Sequence, residues 1–216
     1  MPKILAASVL IASMLCCSCA VSYHPISAER TSSIQSAQAG EVAFSAGPKS
    51  LESNPRIASK AEMSKIKFIG IDVENNSRDT IRISRTGVSL EGGNESYQGI
   101  APESAFDPLR FWVYGYWLYS LIWFGSTSCS SESGCSSFWL PVGLPISIIN
   151  VVTASNSNTE FLRDIKSNQI YDMVIGPGQT KSGMAYFQRT GNARYDVRIV
   201  YLRNQVQETV TIKSGL

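Results

Sequence analysis

Histidine is nearly missing from this chain: His24 is the only one in 216 residues. It lies in a stretch expected to be a mobile spacer, a poor place for a general base, so Ser-His-Asp and Cys-His chemistry is not expected. Charge is also thin. The 19 basic and 17 acidic side chains leave a net of +2, too weak a field to gather nucleic acid. No Walker loop or Rossmann fingerprint is present. Asp72 and Glu74 alternate onto one strand face, as solvated carboxylates commonly do, and Glu103 and Asp107 at helical spacing read as a helix entry. The sharpest absence is local. Residues 111–159 hold a single charged residue, Glu132.

The N-terminus carries a recognisable order of parts. Met1-Pro2-Lys3 is a short basic start, Ile4 to Leu15 is an uncharged apolar run, and Cys16-Cys17-Ser18-Cys19-Ala20 closes it with small and thiol residues. This is the layout of a secretory signal over residues 1–18, with an apolar run too short to span a bilayer. Two cleavage points stay open. Ser18-Cys19 resembles the end of a bacterial lipobox, whose cysteine receives a diacylglyceryl group, although Cys16 stands where that motif favours Leu. Ser18-Cys19-Ala20 also suits ordinary cleavage after Ala20. The lipobox resemblance makes Cys19 the lipidation site. With Ala20 rather than Asp beside it, the resemblance implies the outer membrane of a Gram-negative envelope rather than the inner one. Residues 19–40, rich in Ser, Ala and Gln without hydrophobic periodicity, are expected to be a flexible tether.

From Val42 onward the pattern turns to strands. Val42-Ala43-Phe44 opens a first short one, and residues 51–65 suit a surface helix after Pro55. Ile69, Ile71 and Val73 alternate with Gly70, Asp72 and Glu74 in the period-two signature of a half-buried strand. Asn75 to Asp79 is a turn cluster. Ile81 and Ile83, then Val88 and Leu90, give two further short runs. The texture returns after residue 158. Thr159 to Ser167 reads as one or two helical turns, Tyr171 to Ile175 ends in Gly176-Pro177-Gly178, and Gly183 to Gln188 follows. Tyr195, Val197, Ile199 and Tyr201 alternate with polar residues and Val200, and Val210 and Ile212 alternate with threonines. About seven strands separated by polar turns predict an immunoglobulin-like antiparallel β-sandwich built from residues 41–100 and 158–216. The order of strand, NNS turn, strand, apolar insertion, short helix, PG turn and strands, with the IGPGQTKSGMAYF stretch, resembles uncharacterised bacterial lipoproteins that carry such sandwiches. That resemblance implies no activity.

Residues 101–157 interrupt the sandwich. Eight of the fourteen residues in FWVYGYWLYSLIWF (111–124) are aromatic, and FWLPVGLPISIINVV (138–152) is apolar but broken by Pro141, Gly143 and Pro145. The two arms predict a hydrophobic helical hairpin around a Ser/Cys loop. A segment without a polar face must be sheltered by protein or lipid. A helix from Leu109 to Gly125 would run about 25 Å at ~1.5 Å per residue, short of the ~30 Å hydrocarbon core. A shallow or re-entrant position therefore fits better than a double crossing. Burial against the sandwich, entry into lipid and a partner surface remain the three readings. Trp112, Tyr116, Trp117, Trp123 and Trp139 are the expected membrane or partner contacts, because Trp and Tyr favour the headgroup boundary. Cys129 and Cys135 are expected to form a structural disulfide. They lack a second ligand pair for zinc and the CxxC spacing for redox work.

These features describe a non-enzymatic, lipid-anchored cell-envelope protein acting in binding, scaffolding or assembly. The alternative is an envelope protein that binds lipid or another hydrophobic ligand through the aromatic insertion. Membrane lipid and an envelope protein are the partners implied. Neither nucleic acid nor a cofactor or metal is expected.

Overall fold

A computed structural model describes residues 19–26, 35–92, 95–130, 134–189 and 194–213. The expected signal peptide, residues 27–34 of the expected tether, and Glu132 lie outside these residues. The fold is mainly β, an antiparallel sandwich as the strand alternation predicts. Its first sheet orders β1 (Gln35–Ala39), β2 (Val42–Pro48), β3 (Ile66–Asn75) and β9 (Gln179–Gln188). The second orders β11 (Val206–Ile212), β10 (Asp196–Arg203), β4 (Ile81–Gly92) and β5 (Glu95–Gln98), with β8 (Val174–Ile175) on the start of β4.

Register explains which side chains meet. Phe44 pairs with Val73, Ala46 with Ile71 and Ile69 with Ala185, so all six lie on one face of the first sheet, and all are buried. Ile81, Ile83, Val88, Leu90, Val197, Ile199, Tyr201 and Ile212 are their buried counterparts in the second sheet. The Phe44 and Tyr201 rings meet across the gap at 5.0 Å. Each fully buried side chain of this size contributes roughly 1.5–3 kcal/mol.

The first sheet is buried on its other face as well, at one end. Phe68 pairs with Tyr186 there, ring edge to ring face at 5.2 Å. Helix α1 (Pro55–Met63) turns Ile57 and Ala61 inward at i, i+4 spacing, and α2 (Pro102–Leu109) buries Ala105 and Leu109. Tyr186 donates its hydroxyl to the Ile165 carbonyl at 2.7 Å, on the last turns of α3 (Gly143–Ser167).

Two runs read as separate strands, Ile81–Ile83 and Val88–Leu90, are one twelve-residue strand with an irregularity. The register against β10 shifts between Ile199 and Tyr201. Gly87 sits at this point, where a Cβ would come within 2.2 Å of the Val200 carbonyl oxygen. A glycine here permits close backbone approach rather than a turn.

The tether also differs from expectation. Gln35–Ala39 is a paired edge strand, joined to β2 through Gly40 at φ +60°. Tyr23 and Ile26 are buried. The His24 amide donates to Asn54 Oδ1 at 2.9 Å, Asn54 Nδ2 donates to the His24 carbonyl at 2.7 Å, and the Ile26 amide donates to Asp164 Oδ2 at 2.8 Å. Backbone groups make these attachments, so they leave no hydrophobic period in the sequence.

The chain divides into two compact units. Among the described residues, one holds residues 19–23 with Phe111–Glu160; the other holds His24–Arg110 with Phe161 onward. The second is the sandwich with α1, α2 and the end of α3.

Candidate membrane-contact surface

The insertion forms a different structure from two apolar helices. The first arm is a 3-10 helix, Val113–Leu121, and the second arm contributes the end of one strand and the start of α3. Between them lies a β-hairpin, β6 (Phe124–Ser130) with β7 (Gly134–Leu140). Pro141 and Gly143 separate strand from helix: the Val142 amide bonds to the Leu140 carbonyl at 2.9 Å and the Gly143 amide to the Ile122 carbonyl at 2.9 Å. Gly143 allows this junction, because a Cβ there would lie within 1.7 Å of the Tyr119 carbonyl oxygen. Eight aromatics, Val113 and Gly115 among the fourteen residues of the first arm have low helix propensity and do not favour a long α-helix.

Cys129 and Cys135 stand directly opposite one another in the hairpin and form a disulfide. Beside it Ser128 and Ser136 hydroxyls meet at 3.3 Å. At the hairpin base, Gly125 pairs with Trp139, and the indole occupies the space a Cβ would need, 2.3 Å from its Cε3. A glycine covered by a cross-strand aromatic is a recurring sheet device.

All five predicted contact residues are in this unit. Trp112 is 70% exposed, and Trp117, Trp123 and Trp139 are also exposed. Tyr116 is half-buried, stacked on Tyr119 at 6.3 Å. The 3-10 helix has no fully buried residue. Tyr114 at 77% and Leu121 at 73% widen the surface, with Leu118, Phe124, Phe138 and Leu140.

The first half of α3 extends the surface in a way sequence reasoning missed. Leu144, Ile148, Ile149 and Val152 point outward, with Ile149 65% exposed. Gly143, Ser147, Asn150, Ala154 and Ser157 are the buried face. The helix is inside out over these turns, with small and polar groups packed and aliphatic groups bare. Farther along, Phe161 and Ile165 are buried while Glu160 and Lys166 are exposed, which is the ordinary arrangement. The signal was legible: Gly143, Ser147, Asn150, Ala154 and Ser157 repeat every three or four residues, a small-polar stripe at the helical period.

Asn150 and Ser157 of that stripe hold the N-terminal segment, while Ser147 Oγ makes no hydrogen bond among the described residues. Asn150 Oδ1 accepts the Ala20 amide at 2.5 Å, and Asn150 Nδ2 donates to the Ile146 carbonyl at 2.9 Å. Ser157 donates to the Val21 carbonyl at 3.0 Å. Asn158 grips Phe111 at both backbone groups, accepting its amide at 2.7 Å and donating to its carbonyl at 2.9 Å. Cys19, the predicted lipidation site, is exposed next to Ala20.

Elsewhere, polar groups serve the sandwich. Asn75 is buried and holds the turn after β3: its Nδ2 donates to the carbonyls of Asp79, Ile175 and Gly176, and its Oδ1 accepts from Ser77. Hydrogen bonds from Asn204 and then Arg203 hold the Asp79 carboxyl below its ordinary range. Tyr97 and then Tyr195 do the same for Glu95. Burial, aided by Glu95, pushes the Tyr195 phenol up to about 12. An open cleft of about 270 Å³ beside α1 is lined by Leu51, Ala61 and Phe68 with Lys49, Glu62 and Lys67. Its lining includes one carboxylate and no histidine or cysteine. His24 is exposed, and Glu103 pairs with Lys166 at 2.9 Å. Among the described residues no cluster of three His, Cys, Asp or Glu could hold a metal ion. No helix among them is long and apolar enough to cross a membrane.

No protein-family model, curated protein or solved structure matches the chain.

Proposed function

We propose that this protein is a non-enzymatic lipoprotein of the bacterial cell envelope, exported by residues 1–18, anchored through a thioether-linked diacylglyceryl group on Cys19, and attached a second time by its aromatic insertion. The carrying observation is the run of exposed aromatic and aliphatic side chains from Trp112 to Val152. Large exposed apolar patches mark interaction sites. Trp and Tyr in quantity, with almost no charge, suit the headgroup boundary of a lipid leaflet. The two acyl chains of a diacylglyceryl group already hold the protein on the membrane, and the aromatic insertion adds a further apolar contact with the leaflet. The role that follows is to hold a β-sandwich at the membrane surface, where it binds or helps assemble an envelope partner.

Intact-mass analysis of the purified N-terminus tests the anchor: a diacylated Cys19 is expected. Fractionation tests the second contact. Exported Cys19→Ser protein stays partly with membranes, and its tryptophan emission shifts to the blue on mixing with phosphatidylethanolamine/phosphatidylglycerol vesicles. Complete release into the soluble fraction, with unchanged emission, would sink the role of the insertion.

A further inference from the structure

Hydrogen bonds to Asn150 and Ser157 join the proposed anchor to the helix that carries the apolar stripe, so the two are not independent attachments on a loose tether. Resting on the lipoprotein reading above, we infer that the Cys19 lipid and the outward stripe of α3 form one composite membrane-docking surface that enters a single leaflet. Ala20 is fixed to Asn150, and Val21 to Ser157, both on α3. Asn150 is flanked in sequence by Ile149, and Ile148, Ile149 and Val152 are all exposed. Asn150 and Ser157 belong to the buried face of α3, opposite the bare stripe, so an acyl group on Cys19, one residue before that clamp, starts beside the helix at the depth of Ile149 and enters the leaflet alongside the stripe.

The chemistry of the surface selects lipid as its occupant. Leu144 to Val152 covers about 12 Å along the helix axis at ~1.5 Å per residue, a depth suited to one leaflet and not to a crossing. The aliphatic stripe ends where Ser155, Asn156 and Glu160 become the exposed residues. Such a change from apolar to polar along the helix is what a segment passing from acyl chains into water needs. Asn150 and Ser157 are positioning residues here. Their buried side chains hold residues 20 and 21 at a fixed exit point.

The test uses full-length, lipidated protein in phosphatidylethanolamine/phosphatidylglycerol vesicles. Single nitroxide labels are attached through Ile149→Cys or Asn156→Cys, both exposed positions, with Cys129 and Cys135 held in their disulfide. The label at 149 is expected to relax with oxygen and be shielded from an aqueous nickel reagent, and the label at 156 to show the reverse. A second measurement avoids labels: Ile149→Asp in the Cys19→Ser protein lowers vesicle partitioning about tenfold. If mass analysis finds diacylated Cys19 while the 149 label is as open to nickel as the 156 label, the lipoprotein reading survives and the composite surface is refuted. An unmodified Cys19, or residues 1–18 retained and covering the stripe, overturns both.

Discussion

In the sandwich, Phe44, Tyr186 and Tyr201 are buried, and exposed positions such as Thr209 and Thr211 are polar. In the insertion, Ser147, Asn150 and Ser157 are buried, and Trp112, Leu121 and Ile149 are bare. Both units satisfy their buried polar groups almost entirely; among the described residues Ser147 Oγ, Gln169 Oε1 and Arg189 Nε lack a hydrogen bond at that atom. The sandwich follows water's rule. The insertion inverts that rule, and α3 changes from one to the other within a single helix, at about Ser157. Inversion of this kind costs stability in water unless some other solvent or surface receives the bare side chains.

The largest expected effect separates core from surface. Phe44→Ala removes a ring packed on Tyr201 and should lower unfolding stability by about 3–5 kcal/mol. Trp112→Ala removes a still larger ring that is mostly bare, so urea unfolding should change by about 0.5 kcal/mol or less. Its loss should show in vesicle binding instead. If both variants lost stability alike, the insertion would be packed as a core and the contrast would fail.

Within α3 the inversion can be probed at neighbouring positions. Ala154 is fully buried, and Ala154→Leu should overpack its face and cost about 1–3 kcal/mol. Ile149→Ser, on the bare face, should leave stability nearly unchanged. The reverse ranking in a urea titration would mean that the helix turns its aliphatic side inward. Read along the chain, 138–152 shows no polar face as long as serine, asparagine and glycine count as breaks rather than as a stripe. The strands are far more legible. Alternation in Ile69–Val73 and Tyr195–Tyr201 maps directly onto a sheet with one buried side. What escapes is set by backbone contacts: the Gly87 irregularity that joins two runs into β4, the paired strand Gln35–Ala39, and the anchoring of residues 20–26. None of these leaves a side-chain period. Among the site residues, the exposed tryptophans and the disulfide are legible by residue type, whereas Leu144, Ile148, Ile149 and Val152 become visible only with the helix geometry.

The hairpin offers a smaller, local effect. A two-stranded ribbon is marginal in water by itself, and every position of β7 is exposed. Closing a ring between Cys129 and Cys135 contributes about 2 kcal/mol by loop entropy. Paired Cys129→Ser and Cys135→Ser substitutions should raise hydrogen exchange at residues 124–140, while amides of β3 and β10 keep their protection. Equal loss in both regions would show that the disulfide supports the sandwich too.

The smallest effect belongs to the sandwich and sets its acid limit. Asp79 accepts from Arg203 at 2.8 Å, and Arg203 also lies 3.7 Å from Glu41. Hydrogen bonds from Asn204 and Arg203 hold the folded carboxyl below the 3.8 of the free side chain. On acidification the unfolded chain therefore takes its proton first. The stabilisation is fully present above about pH 4 and fades as pH falls through the folded value. Asp79→Asn removes this titration. Its stability deficit against the parent should be greatest near neutrality and shrink toward pH 2, and high salt should reduce it as well, because the pair is partly exposed. A deficit that stayed constant from pH 7 to pH 2 would mean that Asp79 acts through shape rather than charge.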